Sequence, residues 1–185
     1  FYTLHAIGTM VFDSVAYKNV VSNGLVLDKN GQKMSKRLGN AADPFETLET
    51  YGADATRWYM ISNANPWDNL KFDKEGIEEV KRKFFGTLYN TYSFFTLYTN
   101  IDGFSYLEED IPLLERPELD RWILSELHTL IQKVDKFYEE YEPTKAARAI
   151  SDFTQDYLSN WYVRLSRRRF WKGDYQQDKI SAYQT

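Results

Sequence analysis

The chain has 185 residues, a net charge of −4, 43% hydrophobic residues and 27% charged residues, which is typical of a globular protein. It has no cysteine and two histidines, which excludes disulfides and thiolate zinc sites, and we expect no metal site. No apolar run approaches the roughly 20 residues of a membrane helix and no signal peptide is visible, so we expect a cytoplasmic protein.

The first part of the chain predicts an apolar helix and then a small β hairpin. Residues 1–16 have an apolar pattern, and residues 20–21 and 25–27 have strand composition. Asn30-Gly31 is a turn dipeptide of the kind that closes hairpins. Residues 33–37, Lys-Met-Ser-Lys-Arg, follow this turn and are therefore predicted to lie on an exposed loop.

Two short helices are predicted after this loop. Asp43, Pro44 and Glu46 have the residue types and spacing of a helix start, because an aspartate at the N-cap accepts free backbone N–H groups and proline suits the first turn. A second short helix is predicted to begin near Gly52.

Three long amphipathic helices are predicted from residue 73 onward, the second beginning near Pro117 and the third at Pro143. Their connections are short, which predicts an antiparallel bundle. The apolar stripes are Ile77, Val80, Phe84, Leu88, Tyr92 and Phe95 on the first, Leu119, Ile123, Leu127, Leu130, Val134, Phe137 and Tyr141 on the second, and Ala146, Ile150, Phe153, Tyr157 and Trp161 on the third.

The end of the third helix breaks its own pattern. In a straight helix, Arg164, Arg168 and Trp171 would continue the apolar face, and unpaired arginines do not belong in a core. The helix must either project past the bundle or bend and rotate. Both alternatives expose arginine beside Trp161, and such a surface can bind phosphates and stack on unpaired bases.

Residues 33–37, with flanks 24–28 and 38–40, resemble the KMSKS signature loop of class I aminoacyl-tRNA synthetases. The resemblance implies that Lys33 and Lys36 are the catalytic cations that contact the phosphates of ATP. It also implies that Met34 and Ser35 complete the ATP-binding loop. The fifth position departs from the family pattern, because arginine replaces the commoner serine, and the role of Arg37 stays open. The alternative interpretation is a solvated turn with two unrelated lysines.

The second signature of these enzymes, the HIGH tetrapeptide, is missing from the sequence. Residues 5–8, His-Ala-Ile-Gly, look similar to it. However, residues 1–8 instead resemble the segment that the family places shortly before the lysine loop, so His5 is expected to be a structural helix residue. The resemblance therefore implies only part of an active site, and the 185 residues alone are expected to be inactive.

Residues 52–58 resemble the stem-contact helix of these enzymes, in which Asp54 and Arg57 are expected to tie helices together. Residues 158–164 and 167–172 resemble the anticodon-binding helical domain of the isoleucyl enzymes. The alternative for this second region is pairing of some arginines with acids of neighbouring helices. The tRNA-binding candidates are Trp161, Arg164, Arg167, Arg168, Arg169 and Lys172.

The expected fold is mainly α, with the C-terminal remnant of a Rossmann-like α/β domain and a small β hairpin, followed by an antiparallel helical bundle. Residues 1–65 would be the end of the catalytic domain, and residues 66–185 an incomplete anticodon-binding bundle. The resemblance implies that the full enzyme activates isoleucine with ATP, with Mg2+ expected, and loads it on its tRNA. A valyl enzyme, a tRNA-binding module without catalysis and a helical protein-interaction domain are the alternatives.

Overall fold

The computed structural model describes residues 1–172 and 174–185 and is mainly helical. Two strands of two residues, β1 (Val26–Leu27) and β2 (Leu70–Lys71), pair in parallel. The helices are α1 (Tyr2–Phe12), α2 (Pro44–Tyr51), α3 (Ala53–Asn63), α4 (Lys74–Val80), α5 (Gly86–Asp102), α6 (Glu118–Glu139), α7 (Pro143–Asp152), α8 (Arg164–Trp171) and α9 (Gln177–Gln184). The predicted fold class is confirmed. Within the described ranges, no helix combines the length and the apolar character needed to cross a bilayer.

The β hairpin is smaller than predicted. A single antiparallel bridge between Leu27 and Lys33 closes it, and the strand predicted at residues 20–21 is wrong, because these residues are irregular. The main partner of β1 is β2, which lies far along the chain. Such a long-range parallel pairing leaves no local turn signal, so it could not be predicted from the sequence.

The predicted helix starts are confirmed. The Asp43 carboxylate accepts hydrogen bonds from the backbone N–H groups of Phe45, at 2.8 Å, and Glu46, at 3.3 Å. α6 begins directly after Pro117, and α7 begins at Pro143. Local capping chemistry is readable from sequence because its partners lie within one helical turn.

Two π-type segments, Lys81–Phe85 and Phe153–Val163, interrupt the long helices that contain α4 with α5 and α7 with α8. A π-type turn inserts an extra residue and so shifts the helix face that follows it. Some stripe residues within or after these segments lie on the other side from the one predicted. Tyr92 is 62% exposed and Trp161 is 56% exposed, although both were expected inside, whereas Phe95 packs against the buried core as expected.

The predicted catalytic part and the bundle meet through polar contacts between α3 and α7, one of them buried and one exposed. The Thr144 hydroxyl, which is fully buried, donates to the carbonyl oxygen of Ala64 at 2.9 Å. The Arg148 guanidinium donates to the carbonyl oxygen of Ser62 at 2.8 Å. These bonds satisfy carbonyls at the end of α3 and so fix it against α7. The buried apolar clusters on either side are Ala55, Tyr59 and Ile77, and Phe170, Ala182 and Tyr183.

Gly24 holds β1 against the loop that precedes β2, and its substitution is expected to destabilise the protein. Its backbone N–H donates to the carbonyl oxygen of Pro66 at 2.8 Å, and a Cβ atom at Gly24 would lie 2.1 Å from the Asp68 carbonyl oxygen. We expect Gly24→Ala to lower the free energy of unfolding by about 1–3 kcal/mol, measured by urea denaturation. The control is Gly86→Ala inside a helix, which is expected to be neutral or slightly stabilising.

Candidate functional site

The lysine loop, residues 33–37, directly follows the hairpin and leads into a single 3-10 turn, Lys36–Leu38. Ser35 caps this turn, because its hydroxyl oxygen accepts the backbone N–H of Leu38 at 3.2 Å. The hydroxyl hydrogen of Ser35 remains free to donate. Met34 is partly buried beneath the loop, whereas Lys33 and Lys36 are exposed.

Neither Lys33 nor Lys36 has a carboxylate partner in the ranges that the structure describes. Both ammonium groups are therefore available to an anion, and they lie on either side of the Ser35 hydroxyl along the loop. Two cations and a hydroxyl donor in one short loop are suited to contacting a polyphosphate.

A network of hydrogen bonds around Asn40 fixes the base of the lysine loop. The Asn40 side-chain oxygen accepts the backbone N–H of Ser35 at 2.9 Å, and its amide nitrogen donates to the Asp28 carboxylate at 3.0 Å. The hydrogen bond from Asn40, followed by the one from the Gln32 backbone, holds the pKa of Asp28 below its usual value. The loop backbone is thus anchored, while its long side chains remain free.

A second group of exposed cations lies on α8 and at its end. Arg164, Arg167 and Arg168 are exposed, and no carboxylate pairs with them in the part of the chain that the structure describes. The Lys172 ammonium lies 5.2 Å from the ring centroid of Trp171, which is a cation–π contact. This cationic face, defined by Trp161, Arg164, Arg167, Arg168 and Lys172, combines positive charge with exposed aromatic rings.

Arg169 differs from its two neighbours because its side chain points into the bundle. Its guanidinium forms two parallel hydrogen bonds with the Asp120 carboxylate, at 2.5 and 2.8 Å, and a third with Asp178 at 3.0 Å. Burial alone would lower the pKa of Arg169, but the hydrogen bonds and charge of Asp120 outweigh burial and raise it. A guanidinium occupied in this way is not available to RNA.

The π-type segment explains why the arginines are exposed. Within and after it, the buried residues are Tyr162, Ser166 and Phe170, about one turn apart, so Arg164 and Arg168 face solvent. Of the two alternatives that the sequence left open, rotation of the helix accounts for this exposure. Asp120 on α6 is fully buried and was not among the residues that the sequence analysis singled out.

The remaining candidates have simpler roles. Asp54 and Arg57 were expected to tie helices together, but neither forms a side-chain hydrogen bond or ion pair within residues 1–172 and 174–185. Both instead line a cleft of about 770 Å³ beside α3. His5 lies on α1, as expected of a structural helix residue, and His128 lies on the exposed side of α6.

The described residues contain no group of three or more carboxylate, histidine or cysteine side chains close enough to hold a metal ion.

Comparison with known proteins places these two sites in a family. Residues 1–73 match the family described as tRNA synthetases class I (I, L, M and V), and residues 120–185 match the anticodon-binding domain of tRNA ligase. The chain therefore belongs to the class I tRNA synthetases.

Within this class, the chain is similar to curated isoleucine–tRNA ligases. The chain is 74% identical to that of Bacteroides fragilis and 69% identical to that of Porphyromonas gingivalis, in each case over its whole length. It is 46% identical to that of Thermus thermophilus. It spans 16–18% of the length of these relatives.

A solved ternary complex, LeuRS–tRNA–LeuAMS from Agrobacterium radiobacter K84, shares the fold. Its TM-score is 0.70 at 20% identity, and the match covers 99% of this chain and 22% of that one.

Proposed function

We propose that this chain is the part of an isoleucine–tRNA ligase that carries the ATP-contacting lysine loop and the start of the anticodon-binding bundle. Its whole-length similarity to isoleucine–tRNA ligases supports this assignment, and the valine alternative gains no support from these relatives. The two family matches support the proposed order of a catalytic part, residues 1–65, and a bundle, residues 66–185. The pairing of β2 with β1 favours moving the boundary to about residue 73.

The observation that carries the proposal is the anchored loop with two exposed, unpaired lysines. In the proposed reaction, the carboxylate of isoleucine attacks the α-phosphorus of ATP, the bond to the bridging oxygen breaks and pyrophosphate leaves. Negative charge develops on the phosphoryl oxygens and the leaving pyrophosphate. Lys33 and Lys36 neutralise this charge, and Ser35 donates its hydroxyl hydrogen to a phosphate oxygen.

The proposed compartment is the cytoplasm, which suits a chain without cysteine. The 185 residues alone are proposed to bind tRNA without forming the adenylate, because the chain contains no HIGH tetrapeptide. Isoleucine-dependent exchange of pyrophosphate into ATP tests whether the full-length enzyme activates isoleucine and whether the 185 residues alone form the adenylate. Exchange is expected from the full-length enzyme with isoleucine in preference to valine, and none from the isolated segment. Preference for valine would refute the isoleucine assignment.

The cationic face is proposed to bind the tRNA, and it offers a separate prediction. The double variant Arg167→Ala/Arg168→Ala is expected to weaken tRNA binding by about tenfold per arginine, because each loses charge-assisted hydrogen bonds to phosphate. The dependence of log affinity on log salt concentration should become shallower by about one unit per lost phosphate contact. Filter binding or fluorescence anisotropy at several salt concentrations measures both quantities.

The control for this prediction is Arg82→Ala, an exposed arginine at the other end of the bundle sequence. It should leave tRNA affinity and its salt dependence unchanged. Equal effects from both variants would mean that the cationic face has no special role. Affinity that depends on neither salt nor these arginines would instead favour a protein-interaction domain.

A further inference from the structure

The side chain of Asn40 bonds to the backbone of the lysine loop at two residues and to the turn before the loop. Its oxygen accepts the Ser35 backbone N–H at 2.9 Å, and its amide nitrogen donates to the carbonyl oxygen of Lys33 at 3.3 Å and to the Asp28 carboxylate at 3.0 Å. The amide therefore uses its acceptor and its donors at the same time, which fixes its orientation.

Asp28 is itself rigidly held by the turn before the loop. One of its carboxylate oxygens accepts the backbone N–H groups of Asn30, at 3.0 Å, and Gln32, at 2.7 Å, and the other accepts the Asn40 amide. The backbone of Asp28 also bonds to that of Gln32 at 2.8 Å. The hairpin turn is thus the fixed support, and Asn40 connects the lysine loop to it.

We propose that Asp28 and Asn40 form a clamp that positions the lysine loop for adenylyl transfer. Both are positioning residues, because they act through the backbone of Lys33 and Ser35. The inference rests on the proposed function, in which the two lysines stabilise charge that develops during the reaction.

The reason for a clamp is the exposure of the loop. Lys33, Lys36 and Arg37 are exposed, so little apolar packing holds the backbone from which they extend. Catalysis by charge requires the cations to lie close to their optimal positions, and a displacement of about 1 Å can cost about 100-fold in rate. Loosening the clamp should therefore lower kcat more than it raises the KM for ATP.

The pairing of an amide with a carboxylate gives a specific test. Asn40→Asp replaces the donor by a second carboxylate facing Asp28, so the two charges repel. Asp28→Asn in the same protein removes this repulsion and restores a carboxylate–amide pair with the roles exchanged. Asn30→Asp is the matched control, because it adds the same charge to the turn that contains Asp28. The Asn30 side chain is exposed and makes no hydrogen bond with the described residues.

The experiment measures isoleucine-dependent pyrophosphate exchange by the full-length enzyme and hydrogen exchange at the Ser35 amide. Asn40→Asp is expected to lower kcat by about 100-fold with the KM for ATP changed less than about threefold. It should also remove protection of the Ser35 amide. The double variant Asn40→Asp/Asp28→Asn is expected to recover about tenfold in kcat relative to Asn40→Asp and to regain protection of the Ser35 amide. Asn30→Asp should match the wild type.

Two results would overturn the clamp. One is a wild-type kcat in Asn40→Asp, and the other is no recovery of kcat in the double variant Asn40→Asp/Asp28→Asn. If Asn40→Asp also loses tRNA binding, its fold is damaged and Asn40→Ala decides, where kcat within about twofold of the wild type refutes the proposal. If the wild-type enzyme shows no exchange activity, the proposed function fails. The pattern of Ser35 amide protection across the same variants then still decides whether the clamp exists.

Discussion

Replacing Lys33 and Lys36 together by alanine is expected to lower kcat for isoleucine-dependent pyrophosphate exchange in the full-length enzyme by about 10³-fold. The two ammonium groups have no partner in the described residues, so the loss is that of charge stabilisation in the transition state rather than of a structural ion pair. The KM for ATP should rise much less than kcat falls, because the contacts strengthen as charge develops. Lys36→Ala alone is expected to have the larger single effect.

The control for the lysine loop is Lys29→Ala, which removes an exposed lysine from the turn just before it. Its kcat should stay within about twofold of the wild type, because Lys29 lies outside the loop that is proposed to contact phosphate. Thermal unfolding of the double variant should match that of the wild type. Undiminished exchange by the Lys33 and Lys36 variant would show that the reaction centre lies elsewhere.

Arg169→Ala is expected to lower the free energy of unfolding of the bundle by about 3–5 kcal/mol, because it leaves the Asp120 carboxylate buried without its cation. Asp120 is fully buried and would keep only the hydroxyl donors Tyr162, at 3.0 Å, and Ser181, at 2.6 Å. The substitution also removes a contact with α9, whose Asp178 bonds to the same guanidinium. Urea denaturation followed by tryptophan fluorescence measures the change.

Arg167 and Arg168 are the internal controls for this prediction, since they are the same residue type in the same run. Their alanine variants should change the free energy of unfolding by less than about 0.5 kcal/mol, because they are exposed and unpaired in the described chain. The three arginines would then separate into one that supports the fold and two that are proposed to bind RNA. An Arg169→Ala protein as stable as the wild type would refute the structural role.

Local signals in the sequence were reliable where both partners lie close together in the chain. The helix start at Asp43, the starts after Pro117 and at Pro143, and the hairpin turn before the lysine loop were all predicted and are confirmed. The apolar stripes were less reliable, because a period of 3.6 residues cannot reveal an inserted residue. Tyr92, which follows the first π-type segment, and Trp161, which lies within the second, were assigned to the wrong side.

The sequence by itself determined the fold class and the lysine loop, and resemblance gave the class of enzyme, because residue types and spacing over a few dozen residues carry that information. Only the tertiary structure decided which arginine of the run pairs with a buried carboxylate, how β1 finds its partner β2, and which side chain bonds to the backbone of the lysine loop. Arg167, Arg168 and Arg169 are chemically identical, and what separates them is the position of Asp120 on another helix. Whether a charged side chain stabilises the fold or stays exposed at the surface depends on which groups lie opposite it. Packing between distant segments sets which groups those are.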